Sequence, residues 1–144
     1  RVFHKGNAQV KIIGLDGKEY KWNPSYNQSK GDNRSELHKK AKKLIEEMFP
    51  HDIILEEVSL AGSRTQEGGG ILRADMFVPN RNLIVEVHGE QHHKFNKFFF
   101  KNKLRFYRAQ ARDREKKEWC NINDIRIVEL NYNEDLDEWR KKIE

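Results

Sequence analysis

The stretch ILRADMFVPNRNLIVEVHGE, residues 71–90, places two apolar runs around the separator PNRN, and the way that separator folds decides what the chain can be. Pro and Asn favour turns and the flanking runs carry β-branched and aromatic residues, so the stretch reads as two antiparallel strands. With Asn80 and Arg81 as a two-residue connection, the register pairs Pro79 with Asn82, Phe77 with Ile84 and Asp75 with Glu86. Opposed residues share a face, with Cβ atoms about 5 Å apart. Two carboxylates that close repel, a cost that makes sense when a cation sits between them. His88, two residues past Glu86, projects to the same side because a strand repeats every second residue. Gly89 can then end the strand. Register carries this inference: a slip of one residue sends the carboxylates to opposite faces, where they are ordinary solvent-facing groups.

Working outward, SELHKKAKKLIEEMFP (35–50) has a helical stripe of Leu37, Ala41, Leu44, Ile45 and Met48, with Ser35 or Asn33 as cap and Pro50 as stop. DIILEEVSL (52–60) reads as a strand and AGSRTQEGGG (61–70) as a loop. Beyond the central pair, a basic and aromatic segment from about Phe95 to Trp119 has Leu104, Tyr107, Ala111 and Trp119 near helical spacing. DIRIVEL (124–130) returns to strand, and Leu136, Trp139 and Ile143 mark a closing helix. Before all of these, QVKIIGLDGKEYKW (9–22) alternates around Asp16-Gly17, the signature of a hairpin with a type I′ turn, followed by a polar loop over residues 23–34. The reading is an α/β fold with a central mixed sheet flanked by helices. Residues 1–32 are the hairpin and linker, an appendage, and 33–144 the main domain.

A chain of 144 residues is the size of one domain, and a net charge of +5 favours anionic partners. No secretory segment and no apolar run of membrane-spanning length is visible, so an intracellular location, cytoplasmic or phage-encoded, is expected. Cys120 is the sole cysteine, which excludes an internal disulfide. Zinc held by His88, His92 and Cys120 fits no recognised finger spacing. GSRTQEGGG lacks the Lys-Ser/Thr ending of a phosphate-binding loop. The start without Met suggests a segment of a longer protein, in which another region selects the target.

Three pieces, SELHKKAKKLIEEMFP, RADMFVPNRNLIVEVHGEQH and RDREKKEWCNINDIRIVEL, together resemble the PD-(D/E)XK nuclease superfamily. The branch they are most similar to holds very-short-patch repair endonucleases and related phage or homing endonucleases, and the resemblance spans roughly residues 33–143. It implies a restriction-endonuclease-like core and metal-dependent hydrolysis of DNA, with Glu36 on the first helix and Asp75 and Glu86 on the strands as the acidic residues. The family's lysine position holds His88, which can activate or orient water, contact phosphate or bind the ion. Gln91 resembles a family glutamine that holds a ligand or water, and Glu36 equally suits the helix dipole.

Hard oxygen ligands from Asp75 and Glu86 suit Mg²⁺, with Mn²⁺ able to substitute. Arg64, His92, His93, Lys94, Lys97 and Lys101 are the candidate phosphate contacts, on double-stranded DNA, with no membrane partner. The expected activity is that of a Mg-dependent endodeoxyribonuclease. Two other readings explain the positive charge: a nucleic-acid-binding module without cleavage, and a protein-interaction domain that meets an acidic partner.

Overall fold

The computed structural model describes residues 10–24, 35–63, 71–89 and 103–144. Two short strands, β1 (Val10–Ile13) and β2 (Glu19–Trp22), form an antiparallel hairpin. The four-stranded sheet follows: β3 (Leu55–Ser59), β4 (Arg73–Val78), β5 (Leu83–His88) and β6 (Arg126–Asn131), adjacent in that order. The first three run antiparallel and β6 lies parallel to β5, so the sheet is mixed, as expected. The parallel step needs a crossover, which α2 (Lys103–Ile122) supplies, while α1 (Glu36–Met48) and α3 (Leu136–Ile143) complete the domain. Among the described residues no helix is long and apolar enough to cross a membrane.

Alternation along the strands sorts the core into two layers. On one face Val58, Phe77 and Ile84 pack with Trp119 and Cys120 of α2; on the other Met76, Val85, Val128 and Leu130 pack with Ala41, Leu44 and Ile45 of α1 and Trp139 and Ile143 of α3. Helix α1 starts where the Ser35 side chain accepts from the His38 amide, and it stops at Phe49, just before Pro50. Its expected stripe faces the core, with Leu37 and Met48 half-buried at the two ends.

Two expectations are corrected. The hairpin is no appendage: Ile12 and Trp22 are buried with Trp119, and the Asn123 side chain bonds both the amide and the carbonyl of Ile13. Its turn is not type I′, because residues 14–18 form a longer loop in which the Gly14 amide meets the Lys18 carbonyl and only Gly17 takes a positive φ, +82°. The helical spacing past the central pair is that of α2, in which Phe106 and Trp119 are buried while Leu104 and Tyr107 are 55% and 56% exposed.

Between β4 and β5 the chain makes a 3₁₀ turn over Pro79–Arg81 and then places Asn82 at φ 52°, in place of a two-residue connection. The register survives the change, with Phe77 opposite Ile84. The longer turn closes because Asn can adopt the left-handed conformation and its amide bonds the Asp124 carbonyl.

Candidate metal centre

The ladder between β4 and β5 runs from the Val78–Leu83 pair to Met76–Val85. The next position holds Asp75 and Glu86, and there side chains take over from the backbone. Glu86 Oε2 accepts from the Asp75 amide at 2.7 Å, and Asp75 Oδ2 accepts from the Val87 amide at 2.8 Å. The pairing of β3 with β4 skips the same point, between Glu56–Met76 and Val58–Ala74, where Glu57 stands at φ 50°. Asp75 therefore sits in a gap in the ladder on both sides. A left-handed conformation at a glutamate inside a strand is a strained feature of the kind that collects at functional sites.

Glu86 and His88 point to the α2 face, and α2 meets them with Asp113 and Lys116, three residues apart and so on one side of the helix. Lys116 Nζ lies 2.6 Å from Glu86 Oε1. His88 Nδ1 is 4.0 Å from Asp113 Oδ2, and Nε2 is 3.3 Å from Glu129 Oε2 on β6. One ligand atom each from Glu86, His88 and Asp113 all lie within 4.8 Å of one another. Donors about 2.1 Å from one ion stand up to about 4.2 Å apart, so small side-chain adjustments close this set on a divalent cation. The charges agree. When all are ionised, the carboxylates of Asp75, Glu86, Asp113 and Glu129 exceed the ammonium groups of Lys116 and Lys117 by two negative charges. Two carboxylates and an imidazole thus fit a divalent ion.

Burial holds the Glu86 carboxyl up at about 7, the Asp75 charge pushes the same way, and Lys116 opposes both. For Lys116 itself burial favours the neutral amine, but the Glu86 carboxylate outweighs it and the ammonium is held above its ordinary range. Lys116 is therefore a fixed positive charge and a donor at neutral pH. Burial, with the Glu86 charge, pushes the Cys120 thiol up to about 12, which leaves it an inert core residue.

These shifts set a pH dependence. The folded protein keeps a proton on Glu86 from the ordinary 4.5 up to about 7, a range in which the unfolded chain has released it. The stability this group contributes is full below 4.5 and is lost as pH rises through about 7. An incoming ion competes with that proton, so divalent-ion affinity is expected to climb about tenfold per pH unit below about 7 and to level off above it. Calorimetric titrations across that range check this. An affinity flat across it would mean that the ion does not use Glu86.

Of the residues singled out from the sequence, the fold brings Asp75, Glu86 and His88 together. Glu36 is 93% exposed and pairs with Lys39 on its own helix, while the buried polar residue of α1 is His38, 3.1 Å from Glu56 on β3. Gln91, Arg64, His92, His93, Lys94, Lys97 and Lys101 lie outside the described residues. Asp113 and Lys116, with Lys117, matched the polar second-helix part of the resemblance without an assigned chemical role, and Glu129 was not singled out. Their signals were the i, i+3 spacing in DREK and the match of IVE at 84–86 with IVE at 127–129, which are the paired segments of β5 and β6. Beside Glu129 opens a groove of about 550 Å³ along β6, with Lys117, Arg126 and Lys142 on its walls.

No protein-family model matches the chain, and no solved structure matches it. It is 39% identical over 67 residues to "Uncharacterized protein 307L" of Invertebrate iridescent virus 6, a match covering 46% of this chain and 34% of that protein. It is also 39% identical over 64 residues to "Uncharacterized protein 033L" of Invertebrate iridescent virus 3, covering 44% of this chain and 33% of that one. The chain thus matches about a third of the length of these curated relatives.

Proposed function

We propose that this domain is a metal-dependent nuclease that hydrolyses phosphodiester bonds of DNA on a restriction-endonuclease-like core. The observation that carries the reading is the buried Glu86, His88 and Asp113 cluster, set where Asp75 interrupts the sheet. The resemblance to PD-(D/E)XK nucleases supports it, as does the net charge of +5.

Glu86, His88 and Asp113 would hold Mg²⁺ or Mn²⁺, and the Asp75 carboxylate next to Glu86 would add a further oxygen ligand. An ion held there would supply Lewis-acid chemistry, polarising a phosphodiester and lowering the pKa of a water. Lys116 stays protonated, so its part is to donate to a phosphate oxygen and to balance the charge that develops there. It brings to Glu86 from α2 the ammonium that the family pattern places two residues after the acid, where this chain has His88.

Incubation with supercoiled plasmid, linear duplex, single-stranded DNA and RNA tests this, each with Mg²⁺, with Mn²⁺ and with chelator. Nicked or linear DNA is expected with either ion and intact DNA with chelator. Substrate that is bound yet left whole under every condition would instead favour a nucleic-acid-binding module without cleavage.

A further inference from the structure

One carboxylate borders the ion site without being among its donors. Glu129 lies directly opposite Glu86 in the parallel register of β5 and β6, a juxtaposition of like charges that is unfavourable unless each has its own partner. Lys116 answers Glu86. Glu129 is held by two groups: Lys117 Nζ lies 2.6 Å from Oε1, and His88 Nε2 is 3.3 Å from Oε2. The imidazole itself is buried, its side chain 6% exposed, with the Glu129 carboxylate beside Nε2.

A neutral imidazole carries one N–H. With that proton on Nε2, toward the Glu129 carboxylate 3.3 Å away, the lone pair sits on Nδ1, which lies 4.0 Å from Asp113 Oδ2. That separation is too long for a hydrogen bond and lies within the span of the donor cluster. A carboxylate behind a ligating histidine fixes its tautomer and raises its basicity.

We propose that Glu129, anchored by Lys117, is a positioning residue that holds His88 in the Nε2–H tautomer, makes Nδ1 a metal ligand and so biases the site toward Mn²⁺ over Mg²⁺. The inference rests on the reading of the cluster as an ion site. The bias follows from ligand chemistry: imidazole suits transition-metal ions, whereas Mg²⁺ takes oxygen ligands and keeps its waters.

The test titrates Mn²⁺ and Mg²⁺ separately into the wild-type chain and into Glu129→Ala, Glu129→Gln, His88→Ala and the Glu129→Ala/His88→Ala double variant, with folding checked by thermal melts. Glu129→Ala is expected to weaken Mn²⁺ binding by about 10- to 100-fold while changing Mg²⁺ binding far less. In the His88→Ala background the same change should cost nothing further. Glu129→Gln, whose amide oxygen still accepts from Nε2–H, should recover much of the loss. The ¹⁵N shifts of His88 in the metal-free protein should report the Nε2–H tautomer in the wild type and lose it in Glu129→Ala. Equal losses for the two ions, or losses that add in the double variant, would make Glu129 a general source of negative charge and overturn the assignment. A wild-type chain that binds neither ion would sink the ion site as well, and that result is distinct from wild-type binding that Glu129→Ala leaves unchanged.

Discussion

Glu86→Gln is expected to lower metal-dependent cleavage by at least about a thousandfold, equivalent to about 4 kcal/mol of transition-state stabilisation, while leaving the fold intact. The glutamine oxygen can still accept from the Asp75 amide, as Glu86 Oε2 does. Lys116 keeps favourable charges near it, because Asp75 and Asp113 also act on its ammonium. The substitution therefore removes a charged ion ligand without stranding a buried cation, the circumstance that makes broken buried ion pairs so costly. Asp75→Asn should behave alike, since its amide oxygen can still accept from the Val87 amide. Parallel melts, ion titrations and cleavage rates separate the effects. A folded Glu86→Gln variant that cuts at the wild-type rate would remove this carboxylate from the chemistry.

The second large effect is on stability. Trp22 lies 5.0 Å, centroid to centroid, from both Phe77 and Trp119, and its ring N–H donates to the Ser59 carbonyl at 2.8 Å. Trp22→Ala removes a fully buried indole that joins the hairpin, the sheet and α2, and is expected to cost about 3–5 kcal/mol. For a domain of this size that is a fall in Tm of roughly 10–20 °C. A melt shifted by only a degree or two would mean that the hairpin is the appendage its sequence suggests. The same experiment bears on the site, because Trp119 and Lys116 share one helix: a loosened α2 should weaken ion binding along with stability.

What was legible in the sequence and what was not follows from the range of the interactions. The register that places Asp75 against Glu86 could be read because strand parity and a short connection are local, and it survived a wrong turn type because the longer turn takes one residue from each strand, Pro79 and Asn82, and leaves Phe77 opposite Ile84. The helical stripe of α1 was legible for the same reason. The interruption at Asp75 was not, since it depends on a backbone amide choosing a carboxylate over a carbonyl and on the left-handed Glu57 across the neighbouring strand. Nor was the role of the far wall of the site, where the resemblance offered Asp113 and Lys116 without a function. Asp113 and Lys116 reach Glu86 and His88 only through the crossover of α2, and Glu129 only through a parallel pairing that joins segments more than forty residues apart. The hairpin looked detached because its burial depends on Trp119 and Asn123, contacts about a hundred residues away that no local pattern announces.

Glu86, His88 and Asp113 are proposed to close on a single divalent ion. An anomalous difference map from crystals grown with Mn²⁺ tests it most directly. The expected result is one strong peak per chain within about 2.5 Å of a carboxylate oxygen of Glu86, a carboxylate oxygen of Asp113 and Nδ1 of His88. A crystal of active protein whose manganese lies elsewhere, with Lys116 alone against Glu86, would contradict it.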